Sequence, residues 1–213
     1  TSGQQILDPL TNSGNTPLLV TYTFSVAANG CNNPTTQTTT VLINPIPDVA
    51  ASNQSICSGA TSNVMITNPS GVSGTTFSWT LGTITGAVIG QAAGTGTVIS
   101  QTMTSALGGS VQYLITPSAN SCPGTTLPVV VTVDPVPVLS GVLSTTVCSD
   151  ATSGITLATN GTSVAATSYT INSISVASGL TAAVGNATTG TLKASNAIVN
   201  DVFTNITNGP LTV

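Results

Sequence analysis

The chain lacks almost all of the side chains that carry charge. It has no histidine, glutamate or arginine, Lys193 is its single lysine, and five aspartates leave a net charge of −4 over 213 residues. A Ser-His-Asp triad cannot form without histidine, and the scattered aspartates make no evident dyad for general acid–base catalysis. The sequence therefore predicts that the protein is not an enzyme.

The shortage of charge also limits what the chain can bind. One lysine cannot make a basic surface for nucleic acid or anionic lipid, which requires clustered cations. No run of about 18 apolar residues occurs, so we expect no membrane insertion. The expected partners are recognised by shape and contact: neighbouring modules of the same chain, further copies of it, and an unknown surface or glycan receptor.

We expect no metal and no cofactor. The four cysteines form no Cys-x-x-Cys pair and have no histidine beside them, which argues against a zinc site. Calcium prefers several carboxylates, whereas the positions Asp48 and Asp134 beside two proline-rich segments offer one carboxylate each. We interpret both aspartates as turn residues.

Apolar and small polar residues take the place of the missing charge. Hydrophobic residues make up 40% of the chain, and disordered chains combine low hydrophobicity with high charge. The polar surface must therefore be built from threonine, serine, asparagine and glutamine. Because little net charge keeps copies apart, the composition favours association.

A repeat of about 91 residues organises the sequence. The segment Tyr22–Cys31 (YTFSVAANGC) returns as Tyr113–Cys122 (YLITPSANSC), and Cys57 with its neighbours returns at Cys148. A fixed long period is typical of an array of modules.

The repeat predicts how the chain divides. We expect one complete module at residues 46–135, the C-terminal part of a module at 1–45, and the N-terminal part of a third module at 136–213. A module of about 90 residues is close to the size of a small β-sandwich.

Short β-branched runs between glycine, proline, asparagine and serine predict strands, and no segment indicates a capped helix. Strands without helices between them predict an all-β fold of tandem antiparallel β-sandwich modules. Alternation along the strands predicts that Trp79 and Tyr113 lie in the core. The predicted strands are Leu18–Val26, Thr39–Ile43, Asn63–Thr67, Thr76–Leu81, Gly96–Thr102, Ser110–Thr116, Pro128–Val133, Gly154–Ala158, Ser168–Ile174, Leu192–Ala194 and Val202–Ile206.

The segments between modules have a common composition. Pro45 and Pro47 form one linker, and Pro135 and Pro137 form the next. Proline fixes φ and makes the preceding residue extended, so such a joint is a short, semi-rigid spacer. We expect the modules to form a rod.

The cysteines occur at matching positions in the repeat, which indicates disulfides and an extracellular setting. Two pairings are open. The first lies within the module, Cys57 with Cys122, and would stabilise it by about 3–5 kcal/mol in the chain-entropy model. The second crosses the joints, Cys31 with Cys57 and Cys122 with Cys148.

These motifs resemble the PKD-like and Ig-like repeats of very large secreted proteins of Bacteroidetes. Many of those proteins are exported by the type IX secretion system, and some are surface adhesins associated with gliding motility. The resemblance covers most of residues 16–180; Asp150 departs from it by replacing the glycine found at Gly59. The motifs are Tyr22–Cys31, Val41–Pro47, Ile56–Gly59 and Thr76–Trp79. The resemblance implies display on the bacterial cell surface and no catalytic residues.

Three functions fit the sequence. The first is a structural repeat segment of an extracellular surface adhesin, a stiff spacer that holds a binding tip away from the cell. The second is a filament subunit in which the leading segment of one chain completes the trailing module of the next by strand addition. The third is a carbohydrate-binding module, which would need exposed aromatic residues in a row.

Overall fold

The computed structural model describes residues 7–141 and 143–213. Within this part of the chain all regular structure is β-strand. The chain divides into two compact units, the first ending at Asp134 and the second beginning at Pro135. The predicted all-β fold is confirmed.

The first unit begins with a hairpin, here called the leading hairpin. It pairs β1 (Leu18–Phe24) with β4 (Gln37–Ile43) in antiparallel register. Its tip carries the short strands β2 (Ala27–Ala28) and β3 (Cys31–Asn32). Two residues with positive φ at this tip, Asn29 and Gly30, suit the tight two-residue turns of hairpins.

A six-stranded sheet forms one layer of the complete module. The strand order is β5-β12-β10-β7-β8, with β11 paired to one end of β10. All pairs are antiparallel except β5 with β12, which is parallel. The strands are β5 (Gln54–Cys57), β7 (Thr76–Gly86), β8 (Gly94–Thr95), β10 (Gly109–Ala119), β11 (Cys122–Pro123) and β12 (Leu127–Asp134).

The second layer of the module is less regular. It contains β6 (Val64–Met65) and β9 (Val98–Ile99), which pair with each other. Single bridges extend the layer: Ala50 with Thr67, Thr61 with Thr102, and Ile89 with Thr104. Side chains from both layers form one hydrophobic core, which makes the module a β-sandwich.

Alternation along the central strands builds this core. On β10 the inward residues Val111, Tyr113 and Ile115 are fully buried, whereas their neighbours are half-buried. β12 contributes Val131 and Val133 in the same way. Successive side chains of a strand point to opposite faces, so the apolar alternation in the sequence becomes one packed face.

The second unit has two small sheets. β13 (Tyr169–Ile171) pairs with β15 (Gly190–Lys193), and β14 (Leu180–Ala182) pairs with β16 (Phe203–Asn205). No apolar side chain among its described residues is buried; every buried hydrophobic residue lies between positions 49 and 133.

Hydrogen bonds organise the second unit instead. Asp201 is buried and its Oδ1 accepts the Ala187 N–H at 2.7 Å. Asn186 accepts from the Val202 N–H at 2.9 Å and donates to the Val202 carbonyl at 2.8 Å. This unit is therefore held by polar contacts and lacks the apolar core of the complete module.

The strand predictions missed several short strands, namely β2, β3, β5, β8, β11 and β14. The pairing of β5 with β12 is parallel, whereas the sequence predicted antiparallel sheets. The prediction of a strand at Gly154–Ala158 is wrong. The backbone hydrogen bonds of that segment go to three separate places, the carbonyls of Val199 and Ser195 and the N–H of Ser140, so no ladder forms.

Candidate module joint and module core

The linker after the leading hairpin is packed into the complete module. Pro45 and Pro47 are both buried, with less than 2% of each side chain exposed. The Pro47 carbonyl faces Gly124: a Cβ on that glycine would lie 2.0 Å from the carbonyl oxygen and 2.8 Å from Pro117 Cγ. Only glycine therefore fits where the linker meets the turn after β11.

Side-chain amides close the joint on both sides. Asn44 Nδ2 donates to the Asn120 carbonyl at 3.4 Å. Asn12 Nδ2 donates to the carbonyls of Thr16 and Ile43, each at 2.8 Å. The bond from Asn44 ties the end of the leading hairpin to the module that follows, and the bonds from Asn12 hold the segment before the hairpin against its last strand.

The aspartates of the linkers serve the backbone and neighbouring hydroxyls. Asp48 Oδ1 accepts the Val49 N–H at 2.8 Å, and the Asp48 N–H donates to Ser70 Oγ at 3.0 Å. Asp134 Oδ2 accepts from Ser55 Oγ at 2.5 Å. Each carboxylate therefore has a local partner, as turn and strand-end residues do.

The second linker differs from the first in burial. Pro135 is half-buried and Pro137 is exposed, in contrast to the buried Pro45 and Pro47. The packing that supports a stiff joint is thus a property of the first linker.

Trp79 lies in the module core with 6% of its surface exposed. Its Nε1–H donates to the Ala92 carbonyl at 3.2 Å. A Cβ on Gly94 would lie 2.8 Å from the indole Cζ2, so this glycine makes room for the ring. Because the ring face is covered, Trp79 provides no platform on which a sugar could stack.

Tyr113 also lies in the core, and its buried hydroxyl joins a hydrogen-bond network that reaches the surface at Ala92. The hydroxyl donates to Gln101 Oε1 at 2.7 Å, and burial raises the pKa of Tyr113 to about 12. Gln101 also accepts the Ala92 N–H at 2.8 Å and donates to the Ala92 carbonyl at 2.7 Å. The same carbonyl binds Trp79, so the network joins both aromatic residues.

Sequence reasoning missed Gln101. It stands among threonine, serine and other polar residues, where a glutamine carries no distinctive signal. Only the folded module shows that its amide lies beside the tyrosine hydroxyl.

The four cysteines are unpaired in the structure. Cys57 pairs with Asp134 at one end of the large sheet, whereas Cys122 pairs with Ala119 at the other end. The 11 residues of β10 separate these ends by roughly 35 Å. Disulfides need Cα atoms within about 7 Å, so the predicted Cys57–Cys122 bond is not compatible with this register.

The pairing of Cys31 with Cys57 stays a prediction, because the strand register does not fix the distance between these two residues. Cys31 lies at the tip of the leading hairpin, and the joint lies at its other end, beside Ile43. Cys57 lies at the end of the complete module away from that joint. The bond from Cys122 to Cys148 stays a prediction as well.

The linker and core residues described above act through packing, and they do not form a cluster of reactive side chains. Among residues 7–141 and 143–213, no three of the histidine, cysteine, aspartate and glutamate side chains lie together as metal ligands would. No helix in the described part of the chain is long and apolar enough to cross a membrane. The remaining features with functional content are the packed joint and the apolar faces.

Residues 54–137 match the PKD-like domain. The match begins at β5 and ends at Pro137, so it covers the six-stranded sheet and its core. Comparisons with curated proteins and with solved structures gave no match. The PKD-like module is thus the part of the chain with a recognised family, and this family is typical of extracellular structural or adhesion-type modules.

Proposed function

We propose that the chain is a segment of an extracellular surface adhesin and acts as a stiff spacer made of PKD-like modules. The observation that carries the proposal is the packed joint, in which Pro45 and Pro47 are buried against the module they enter. A linker whose prolines are buried has few conformations to lose, so neighbouring β-elements keep a fixed direction.

Composition supports the same role. Extracellular rods are exposed to proteases for long periods. This chain has a single lysine and no arginine, so proteases that cleave at basic residues find one site in it. The buried core of the module consists mainly of Val and Ile, with Phe77, Trp79, Met103 and Tyr113 among them. A spacer needs a module that is stable and long, and a core of this kind supplies the stability.

The spacer role is tested in the cells that make the protein. One period of 91 residues is deleted in such a way that one Pro-x-Pro linker still joins the parts on either side of the deletion. Surface display, measured with antibody on intact cells, is expected to stay unchanged while adhesion falls, because the binding tip moves closer to the cell.

A length-restoring control separates spacing from sequence. Replacing the deleted period with an unrelated β-sandwich of similar length is expected to restore adhesion. Unchanged adhesion after the deletion, or failure of the unrelated spacer to restore it, would contradict the spacer role.

A further inference from the structure

The first and last long-range partners of the PKD-like module, β5 and β12, lie side by side and run in the same direction. They pair in parallel, from Gln54 beside Val131 to Cys57 beside Asp134. β5 lies at the edge of the large sheet, next to β12. The chain therefore enters this sheet along one strand of the pair and leaves it along the other.

The two ends of the module's chain lie at opposite ends of this sheet. A Cβ on Gly124 would meet both the Pro47 carbonyl and Pro117, which places Pro47 near the end of β10. β12 ends with Asp134 at the other end of the sheet, because the residue before it pairs with Gly109, the first residue of β10. A pull on the chain therefore draws β5 toward one end and β12 toward the other, so the two strands slide along each other.

A strand pair resists sliding more strongly than it resists peeling. Its hydrogen bonds run across the strands, although at a slant in a parallel pair. Sliding loads all of these bonds at the same time, whereas pulling the strands apart from one end breaks the bonds one after another. The barrier to forced unfolding, which sets its rate, is therefore higher when the strands must slide.

β5 by itself is a short strand with a weak hold on the module. It has four residues, of which Ile56 is buried. Shortly before it, Ala50 exchanges backbone hydrogen bonds of 3.0 and 2.9 Å with Thr67 of the second layer. The chain thus crosses from one layer to the other between positions 50 and 54, and this crossing keeps the parallel ladder short.

Side chains extend the ladder at both ends. Asn53 lies at the crossing, and its Oδ1 accepts the Val130 N–H at 2.8 Å, one residue before the ladder begins. At the other end, Ser55 Oγ donates to Asp134 Oδ2 at 2.5 Å, and the Ser58 N–H donates to the Asp134 carbonyl at 2.7 Å. Asp134 directly precedes the second linker, so tension in that linker acts on these bonds.

We infer that the β5–β12 pair, with the Asn53 bond at one end and the Ser55–Asp134 bond at the other, keeps the PKD-like module folded when the chain is pulled. The inference goes beyond the spacer role, because a joint can be stiff at rest in a module that unfolds easily under tension. It is tested on the purified chain, whereas the spacer role is tested by adhesion of cells. Failure of either test therefore leaves the other result standing.

Pulling the full chain in two directions tests the inference without a change in the core. Handles are attached through two cysteines in each chain, and the remaining native cysteines are changed to serine. Handles at Ile46→Cys and Val136→Cys, both at exposed positions, make the strands slide. Handles at the native Cys57 and Val136→Cys lie at one end of the pair and peel β5 from β12. We expect a several-fold higher unfolding force in the sliding direction, measured with optical tweezers.

A pair of hydroxyl deletions tests the bond at the linker end. Ser55→Ala removes the bond to Asp134 and is expected to speed unfolding about five-fold at constant force in the sliding direction. The control Thr85→Val removes hydroxyl bonds to Ser110, at 2.8 Å to Oγ and 3.1 Å to the N–H, which join β7 to β10. It is expected to leave that rate unchanged. Unchanged emission from Trp79 in both variants shows that the module is folded.

Asn53→Ala tests the bond at the opposite end. It leaves the Val130 N–H without its acceptor and is expected to speed unfolding in the sliding direction, in which this bond shares the load. In the peeling direction the bonds beside Cys57 break first, so the same variant is expected to unfold at the wild-type force.

Two results would overturn the inference. One is an equal unfolding force in the two directions, which would show that the β5–β12 pair does not limit unfolding. The other is equal acceleration by Ser55→Ala and Thr85→Val in the sliding direction, which would show a general loss of stability without a special role for the bond to Asp134.

Discussion

At the scale of single residues, the Tyr113 hydroxyl is the buried polar group with the clearest energetic role. Tyr113→Phe removes its bond to Gln101, whose amide keeps both of its bonds to Ala92. We expect a loss of about 1 kcal/mol in the free energy of unfolding, measured in urea. Tyr22→Phe, which removes a hydroxyl from the half-buried face of the leading hairpin, is the control and is expected to cost less.

The same hydroxyl makes stability depend on alkaline pH. Burial raises the pKa of Tyr113 from 10.0 to about 12, so between these values the unfolded chain loses a proton that the folded chain keeps. Stability from this group is fully present below pH 10 and is lost as pH rises to about 12. The difference in unfolding free energy between wild type and Tyr113→Phe should shrink over this range; a constant difference would contradict the assignment.

At the scale of elements, the joint depends on the missing side chain at Gly124. Gly124→Ala places a Cβ 2.0 Å from the Pro47 carbonyl, so the linker or the turn must move. Overpacking of this kind costs about 1–3 kcal/mol, which we expect as a lower midpoint in thermal unfolding. Gly161→Ala is the control, because a Cβ there meets nothing within 4 Å. Equal midpoints for the two variants would contradict a packed joint.

The long strands could be predicted from the sequence, whereas the short ones could not. β10 and β12 carry an apolar residue at every second position over many residues, and the structure buries this set. β5 has four residues and too little alternation to separate it from a loop. Its parallel pairing depends on which strand lies beside it, and a single strand's pattern does not contain that information.

The site could be predicted only in part for a similar reason. The Pro-x-Pro linker and the core aromatic residues stand out in the sequence. The Gly124 contact and the Gln101 network arise between segments far apart in the chain. The strand predicted at Gly154–Ala158 fails because its backbone bonds to separated positions, Val199 and Ser195, and a single segment's pattern does not show where its partners lie.

At the scale of the whole molecule, Cys57 and Cys122 lie at opposite ends of the large sheet, too far apart to form a disulfide. We expect mass spectrometry of the native chain, cleaved without reduction, to show no peptide joined through Cys57 and Cys122. The physical reason is the length of β10, which holds the two thiols apart. Recovery of that joined peptide would show that the strand register described above is wrong.

The central claim is that buried prolines fix the direction of one β-element relative to the next. The four native cysteines are changed to serine, and spin labels are attached to Thr38→Cys on β4 and Ser78→Cys on β7. Double electron–electron resonance then measures the distance between the labels across the first joint. Both positions are exposed, so the labels leave the core intact. The account predicts one narrow distance distribution, which broadens when Pro45 and Pro47 are changed to serine and stays narrow with Pro9→Ser. A broad distribution in the unaltered linker would contradict the stiff joint.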